Sequence, residues 1–447
     1  MSKKHVFLFL CISILFAYPI FADEYHNQQV LVGEKAAGLG GTFVALGDGA
    51  EACYYNPAGL TQLKISYLSV SSQIFEYKEI RGKFLADSKE KITSMSFVPS
   101  FWGIAKDLGE YKIGFSIVVP KFDDYKMHEQ YSNLQMGNLF FNNLRTDRVN
   151  NNKNYLIGPS IAKIINPKLS VGTTVYFNFN DIVNRTTSYY DVNDTAQGVQ
   201  AKQEINSENS GRGLGFAGII GMLYKPVDFI NVGLSLKTGS RISNTIKIIE
   251  RNYYFGSSIG DANGIFENKY VEEEIKYTSI VPPSIVLGAK WQTNKKLTLV
   301  SDISYHFSSN YDKKVYGLDP TGSNYQEELR PIELEEKINI NFGSEYMLDN
   351  YIPLRLGFYT DRSTSPKVSD SKLDSNGDLM NQELHVDNYG VTINSGVLSQ
   401  NSTLIFGVKY GWGSGKMVNK DFSTGKNSID KVKSSNYAFN LSGSYNF

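Results

Sequence analysis

Residues 437–447 alternate in a way few folds can use. Tyr437, Phe439, Leu441, Tyr445 and Phe447 fall on one face, with Gly443 among them, while Asn440, Ser442, Ser444 and Asn446 fall on the other. A strand reverses side-chain direction at every residue, so this segment presents one apolar face and one small polar face. The pattern recurs along the chain. Leu297, Leu299, Ile303, Tyr305 and Phe307 alternate with Thr298, Asp302, Ser304 and His306, and Ile352, Leu354, Leu356 and Phe358 alternate with Arg355, Gly357, Tyr359 and Asp361. Ile338, Ile340, Phe342 and Tyr346 alternate with Asn339, Asn341, Gly343 and Glu345, and Leu404, Phe406, Val408, Tyr410 and Trp412 with Ile405, Gly407, Lys409 and Gly411. A soluble sandwich also alternates, but its polar face meets bulk water and carries more Lys and Glu. Here the second face is rich in Gly, Ser, Asn and Tyr, as a crowded lumen would be. Backbone exposed to lipid must satisfy its hydrogen bonds internally, and a closed barrel is the only β solution. The pattern therefore predicts an all-β fold, a transmembrane antiparallel β-barrel.

Composition agrees. The chain carries 29 Tyr, 26 Phe and 39 Gly beside a mildly hydrophilic mean hydropathy, which suits a wall with one greasy and one wet side. Its 45 basic and 45 acidic residues cancel, so there is no polycationic footprint and no nucleic-acid partner is expected.

The N-terminus reads as a secretory signal peptide over residues 1–22. Lys3, Lys4 and His5 form a positive region, Val6 to Phe16 an apolar one, and Ala22 before Asp23 a cleavage point, with Ile20 bulkier than usual at the −3 place. The alternative is an uncleaved helical anchor, for which the apolar run is short. Leu10 before Cys11 is not the small residue that lipidation needs. After cleavage Cys53 stands alone, which leaves no intrachain disulfide. No later segment has about eighteen consecutive apolar residues, so no helical span is expected.

Connection lengths give the topology. Short turns recur at Lys106–Glu110, Asn166–Lys168, Lys225–Asp228, Thr293–Lys296, Leu348–Asn350 and Ser399–Ser402. Long polar stretches separate the hairpins at Lys78–Glu90, Phe122–Asn154, Asp181–Gly211, Arg241–Thr278, Ser308–Glu336, Arg362–Asn388 and Gly413–Ser434. Outer-membrane barrels keep short turns in the periplasm and long loops outside. The count implies about fourteen strands over residues 63–447, an even number, with both termini periplasmic and the last strand closing against the first. The stretch before Val281-Pro282-Pro283 is long for one strand, and the adjacent prolines mark a strand start or an interruption.

Residues 23–62 precede the first strand and do not alternate. They hold the run from Ala36 to Leu60, AAGLGGTFVALGDGAEACYYNPAGL, in which glycines permit tight turns and Pro57 fixes the backbone after Asn56. Gly38-Leu39-Gly40-Gly41 hints at a nucleotide loop, but no strand precedes it, no βαβ unit follows, and an exported chain lacks a nucleotide pool.

This segment resembles the N-terminal hatch of outer-membrane transporters of the FadL and TodX type. The family pattern has a Gly-rich stretch, an acidic Asp-Ala element and an Asn-Pro-Ala motif before the first strand. Gly38-Leu39-Gly40 with Gly41, Asp48-Gly49-Ala50 and Asn56-Pro57-Ala58 occupy the corresponding places. The resemblance implies a fourteen-stranded barrel plugged by this hatch, and passive uptake of long-chain fatty acids or similar hydrophobic molecules without catalysis or cofactor. It implies a ligand landing in an apolar groove among the outer loops, an interior pocket, and lateral exit into outer-membrane lipid through a kinked strand. By position, Asn56, Pro57 and Ala58 would sit beside that kink. The loops here are strongly polar, which departs from an apolar landing groove.

Two loop stretches could supply apolar contact. Leu134, Met136, Leu139, Phe140, Phe141 and Leu144 cluster roughly at helical spacing, and Ile248, Ile249, Tyr253, Tyr254, Phe255 and Phe266 form a second group. The alternative is that each group buries against itself to hold its loop. A carboxylate ligand would want a lumenal cation, and Arg355, Lys409, Lys290 and Lys237 lie on the inward phase of their strands. Most such charges in barrels simply pair with neighbours such as Glu345 or Asp302. His26, His128, His306 and His385 show no metal-ligand spacing, and no compact catalytic motif is evident, although a dispersed triad of an outer-membrane lipase or protease would escape this test. Tyr445 and Phe447 resemble the terminal signal read by barrel-assembly machinery. Two other functions compete: a structural, adhesive or secretion-associated barrel that binds protein partners, and an open porin, against which a plugging hatch argues.

Overall fold

The computed structural model describes residues 25–82, 97–136, 138–259, 263–318, 325–368, 384–421 and 426–447. The signal peptide expected at residues 1–22, most of the loop expected at Lys78–Glu90 and the side chain of Met136 lie outside the described residues. Among the described residues, seventeen strands follow the N-terminal segment. They are β1 (Tyr67–Arg81), β2 (Val98–Asp107), β3 (Tyr111–Met136), β4 (Leu139–Asn166), β5 (Leu169–Asp194), β6 (Val199–Val227), β7 (Ile230–Ser258), β8 (Ile265–Val281) and β9 (Ser284–Gln292). Then come β10 (Leu297–His306), β11 (Ser309–Leu318), β12 (Tyr325–Leu334), β13 (Lys337–Met347), β14 (Pro353–Asp361), β15 (Leu384–Leu398), β16 (Ser402–Asp421) and β17 (Lys426–Asn446).

Fourteen of them close an antiparallel barrel: β1 to β7, β9, β10 and β13 to β17. Closure is direct, with Tyr67 opposite Asn446 and the Phe447 N–H donating to the Ser66 carbonyl. The proline pair interrupts a single line of wall. Lower β7 pairs with β9 from Lys237↔Ser284, upper β7 pairs with β8 from Ser240↔Val281, and Pro282-Pro283 fall between.

Alternation decides which face meets lipid. On β16, Ile405 and Lys409 are 1% exposed while Phe406 is 58% exposed. Aromatics gather on the outer face near both ends of the apolar band. Tyr445 and Phe447 lie at the short-turn end, and Tyr437, Tyr410 and Trp412 pack on one another at the far end. Tyr437 to Tyr445 spans about 26 Å of strand, close to the apolar band of an outer-membrane barrel.

Within the stretches expected as loops at Phe122–Asn154, Asp181–Gly211 and Arg241–Thr278, the described residues are mostly paired strand. β3 to β7 run 26 to 29 residues each, where about ten suffice to cross a bilayer. Beyond the membrane the outer face of the sheet meets water instead of lipid, so the hydrophobic alternation that reveals a strand weakens while ladder pairing continues. Asn150, Asn151 and Asn152 pair regularly with Tyr125, Asp124 and Asp123. The helical spacing expected for Leu134–Leu144 is likewise overturned: these residues lie across a β hairpin, with Leu134 opposite Phe141 and Met136 opposite Leu139. Ser308–Glu336 holds a separate hairpin, β11 on β12.

Candidate functional site: the hatch and the chamber beside it

The described residues from Tyr25 to Leu63 fold inside the ring. Short helices at Glu34–Gly38 and Ala52–Tyr55 and a 3-10 turn at Pro57–Gln62 are joined by loops. Gly40 and Gly41 both take positive φ, +67° and +83°, where glycine alone is unstrained, and this reverses the chain beneath β14.

The segment is tied to strands all around the barrel. Asp302 on β10 accepts the backbone N–H groups of Phe43 and Val44 at 2.9 and 3.2 Å. Thr392 on β15 accepts from Gly40 N–H and donates to the Gly38 carbonyl, while Asn394 donates to the Glu34 carbonyl. Thr403 on β16 donates to Glu34, Thr174 on β5 donates to the Cys53 carbonyl, and Asn231 on β7 donates to the Ala45 carbonyl. These polar strand residues satisfy loop backbone that would otherwise be buried without partners. Asp48 pairs with Lys35 at 2.7 Å, within the hatch itself.

Asn56 is the most connected member of its motif. Its Nδ2 donates to the carbonyls of Val44 (2.7 Å) and Met222 (2.9 Å), and its Oδ1 accepts from Ala58 N–H. Pro57 opens the 3-10 turn, where its missing N–H costs nothing. The motif sits against β5 and β6, where only hydrogen fits: a Cβ on Gly221 would stand 2.0 Å from Asn56 Oδ1, and one on Gly172 2.6 Å from the Pro57 carbonyl carbon.

Register irregularities occur at several places in the wall, including the β6–β7 ladder between Ala217 and Ile219, close to the Gly221 and Met222 that Asn56 touches, and on β1 to β3. Between Val118↔Leu156 and Lys121↔Asn154, Val119 and Pro120 oppose the single residue Tyr155. Further shifts occur between Ser71 and Ser72 on the β2 side and between Gln73 and Phe75 on the β17 side of β1. Such bulges bend a strand and locally end pairing. Among the described residues, β2 reaches outward only to Val98, so the outer part of β1 pairs with β17 alone and that of β3 with β4 alone. The hatch residue beside this region is Val30, which clusters with Val98, Val119 and Phe122.

Next to these bulges is a chamber over the hatch, lined by His26, Gln28, Gln29, Glu76, Asp123, Tyr125, Tyr359, Asp361 and Lys409 among others. Its hatch side is anchored. Asp361 accepts the N–H groups of Asn27 and Gln28 at 3.1 Å each, and His26 Nδ1 donates to the Asp361 carbonyl while Nε2 accepts from Asn388.

The candidate cations are largely committed. Arg355 Nε is 2.6 Å from Glu345 and Nη1 is 3.6 Å from Glu34. Lys409 donates to the Gln29 carbonyl at 2.9 Å. Lys237 lies 3.9 Å from the Tyr54 ring centroid, a cation–π contact with the hatch. The two apolar loop groups partly merge. Phe141, Leu144 and Tyr254 share a buried cluster with Tyr190, Val192, Val199 and Ala201, and Leu139 packs at its edge. Phe140 and Phe255 lie outside that cluster, and Tyr253 and Phe266 are exposed. Sequence reasoning passed over Asp302, Thr392, Asn394 and Thr403 as hatch anchors; their signal was a polar side chain on the inward phase of an otherwise apolar strand.

Comparison with known proteins agrees with this architecture. No curated protein matches the sequence. Solved structures share the fold at low identity. A FadL homologue of Pseudomonas aeruginosa has a TM-score of 0.61 at 14% identity, covering 93% of this chain and 98% of that one. The P. putida toluene transporter TodX gives 0.62 at 14%, with coverage of 93% and 98%. The Ralstonia pickettii toluene transporter TbuX gives 0.57 at 14%, again 93% and 98%. A family model described as outer membrane protein transport protein (OMPP1/FadL/TodX) matches residues 26–378. With its hatch-filled fourteen-stranded barrel, the chain belongs to that family of outer-membrane transport proteins, which are channels rather than enzymes.

Proposed function

We propose that the protein passes long-chain fatty acids or similar hydrophobic molecules from the cell exterior into outer-membrane lipid, by diffusion and without catalysis. The observation that carries this reading is the pairing of a plugged lumen with an interrupted wall. The hatch is bonded to strands around the ring, while β1 to β3 carry three register shifts next to the chamber. A molecule in the chamber meets the hatch below and the weakened ladder at its side. The short turns and both termini face the periplasm in this reading, and the long strands of β3 to β7 stand outside, where the cluster around Phe141, Leu144 and Tyr254 offers a first apolar contact. Movement of the hatch segment around Val30 widens the side route.

The height of the outer wall favours one alternative, attachment to a protein partner through the polar extensions of β3 to β8. Uptake separates the two. Cells expressing the Asn56-Pro57→Ala-Ala variant should display a heat-modifiable barrel but take up a labelled long-chain fatty acid more slowly. Unchanged uptake rejects hatch gating, and loss of a protein partner with uptake intact supports attachment.

A further inference from the structure

The chamber over the hatch has a chemistry that neither a hydrocarbon nor a fatty-acid carboxylate completes. Four carboxylates line it, Glu76, Asp123, Asp124 and Asp361, against two lysines, Lys78 and Lys409. Asp361 is occupied by hatch N–H groups and Lys409 by the Gln29 carbonyl. Glu76 is weakly held, 3.9 Å from Lys409 Nζ and 3.4 Å from Asn436 Nδ2.

Asp123 is the more telling group. It is 5% exposed, its Oδ2 has no hydrogen-bond partner, and the nearest ammonium, that of Lys121, is 4.0 Å away. The side-chain oxygens of Gln29 and Asn436 are likewise buried in the chamber lining without a donor, and the Gln29 Nε2 is buried there without an acceptor. Three orphan acceptors thus face one orphan donor. Each buried acceptor left open costs on the order of 1–3 kcal/mol, so the chamber is built for an occupant that brings hydrogen-bond donors. Tyr125 and Tyr359 supply rings beside those acceptors, and aromatic faces attract cations; the Phe122 ring already carries Lys153, 5.3 Å from its centroid. The irregularity at Val119-Pro120 lies just ahead of these residues, and after it Asp123, Tyr125 and Met127 are buried while Lys126 and His128 are exposed.

We infer that the chamber binds amphiphiles headed by a protonated amine, with the ammonium between Asp123, Gln29 and Glu76. This rests on the uptake reading for its entry route but concerns binding alone.

The test is titration calorimetry on the full-length purified barrel with hexylamine, hexanol and hexanoate, three soluble ligands sharing one chain. Hexylamine should bind at least about tenfold more tightly than either other ligand, a difference of about 1.4 kcal/mol. Asp123→Asn should reduce hexylamine to the level of hexanol and leave hexanol unchanged. If that variant fails to assemble, Gln29→Leu, in the hatch, should reproduce the selective loss. Hexanoate binding as tightly as hexylamine overturns the inference, as does amine binding indifferent to both substitutions. Amine binding without uptake by cells sinks the transport reading and leaves the inference standing. Uptake with no amine preference does the reverse.

Discussion

Asn56 Nδ2 donates to the carbonyl oxygen of Met222 at 2.9 Å, joining the hatch to the barrel strand β6 across 166 positions of sequence. The same amide holds Val44, so one side chain fixes the fold of the hatch and its place on the wall. Gly221 permits this, since its missing side chain leaves the space Asn56 Oδ1 fills. Gly221→Ala should therefore displace Asn56 and leave the Val44 and Met222 carbonyls unpaired, weakening hatch docking by about 1–3 kcal/mol per lost bond. Hydrogen exchange should show faster exchange over residues 44–60, with the strand amides of β5 and β6 still protected. Equal protection in the variant would remove Asn56 from its docking role.

Asp302 does the corresponding work on β10, farther around the ring, where its Oδ2 accepts two consecutive hatch N–H groups. Asp302→Ala orphans both, whereas Asp302→Asn keeps an oxygen acceptor. Protection of the Phe43 and Val44 amides should fall sharply in the first variant and only slightly in the second. An identical loss in both would mean that charge, rather than the two hydrogen bonds, anchors the loop.

How far the sequence discloses this molecule depends on what surrounds each segment. Within the bilayer, lipid on one side and lumen on the other impose alternation, so residues such as Phe406 and Ile405 declare their faces. The turns after Asp107 and Asn166 are visible for the same reason, as punctuation between alternating runs. Outside the bilayer the outer face meets water rather than lipid, so the Asn-rich middle of β4 looks like loop although it is paired residue by residue. The hatch motif is local and legible, but its partners are not. Asp302 lies 259 positions from Phe43 and Thr392 lies 352 from Gly40, and no short-range spacing encodes such contacts. The bulges hide for another reason: an extra residue shifts the phase, so the pattern appears to stop at Phe122 when only its parity has changed.

Arg355 shows how a lumenal cation chosen from its phase can serve structure. It lies 2% exposed between Glu345 and Glu34, linking β14 to the first hatch helix. Arg355→Met leaves the buried Glu34 and the partly buried Glu345 without it and should destabilise the assembled protein by about 3–5 kcal/mol. Adding Glu345→Gln should recover part of that loss. Thermal melts of the three proteins decide the matter; a single variant as stable as the parent would free Arg355 for a ligand role.

The closing strand yields a prediction about assembly. Phe447 is outward-facing, and its N–H completes the seam with Ser66. Deleting it removes one hydrogen bond and one exposed ring, a small loss for so long a ladder, so the folded barrel should melt almost unchanged. The fraction that reaches the heat-modifiable form in cells should nevertheless fall several-fold if the terminal aromatic is read by assembly machinery. A parallel fall in melting temperature and in assembled fraction would assign Phe447 to stability instead.

The side route makes the most specific demand on the wall. Val119 and Pro120 together oppose Tyr155, so one residue of β3 is surplus to the ladder. Deleting Pro120 should let Val118↔Leu156 run on into Lys121↔Asn154 without a gap. Because the surplus residue changes sequence parity but not the pairing beyond it, Asp123 and Tyr125 keep facing the chamber after the deletion. The deletion also takes out the one residue of this stretch that has no backbone N–H to give the ladder. The variant should then bind ligand in the chamber as the parent does, melt at the same temperature or higher, and take up a labelled fatty acid markedly more slowly. Uptake at the parental rate with binding intact would place the exit elsewhere, and the Pro282-Pro283 break between β8 and β9 would be the next segment to straighten.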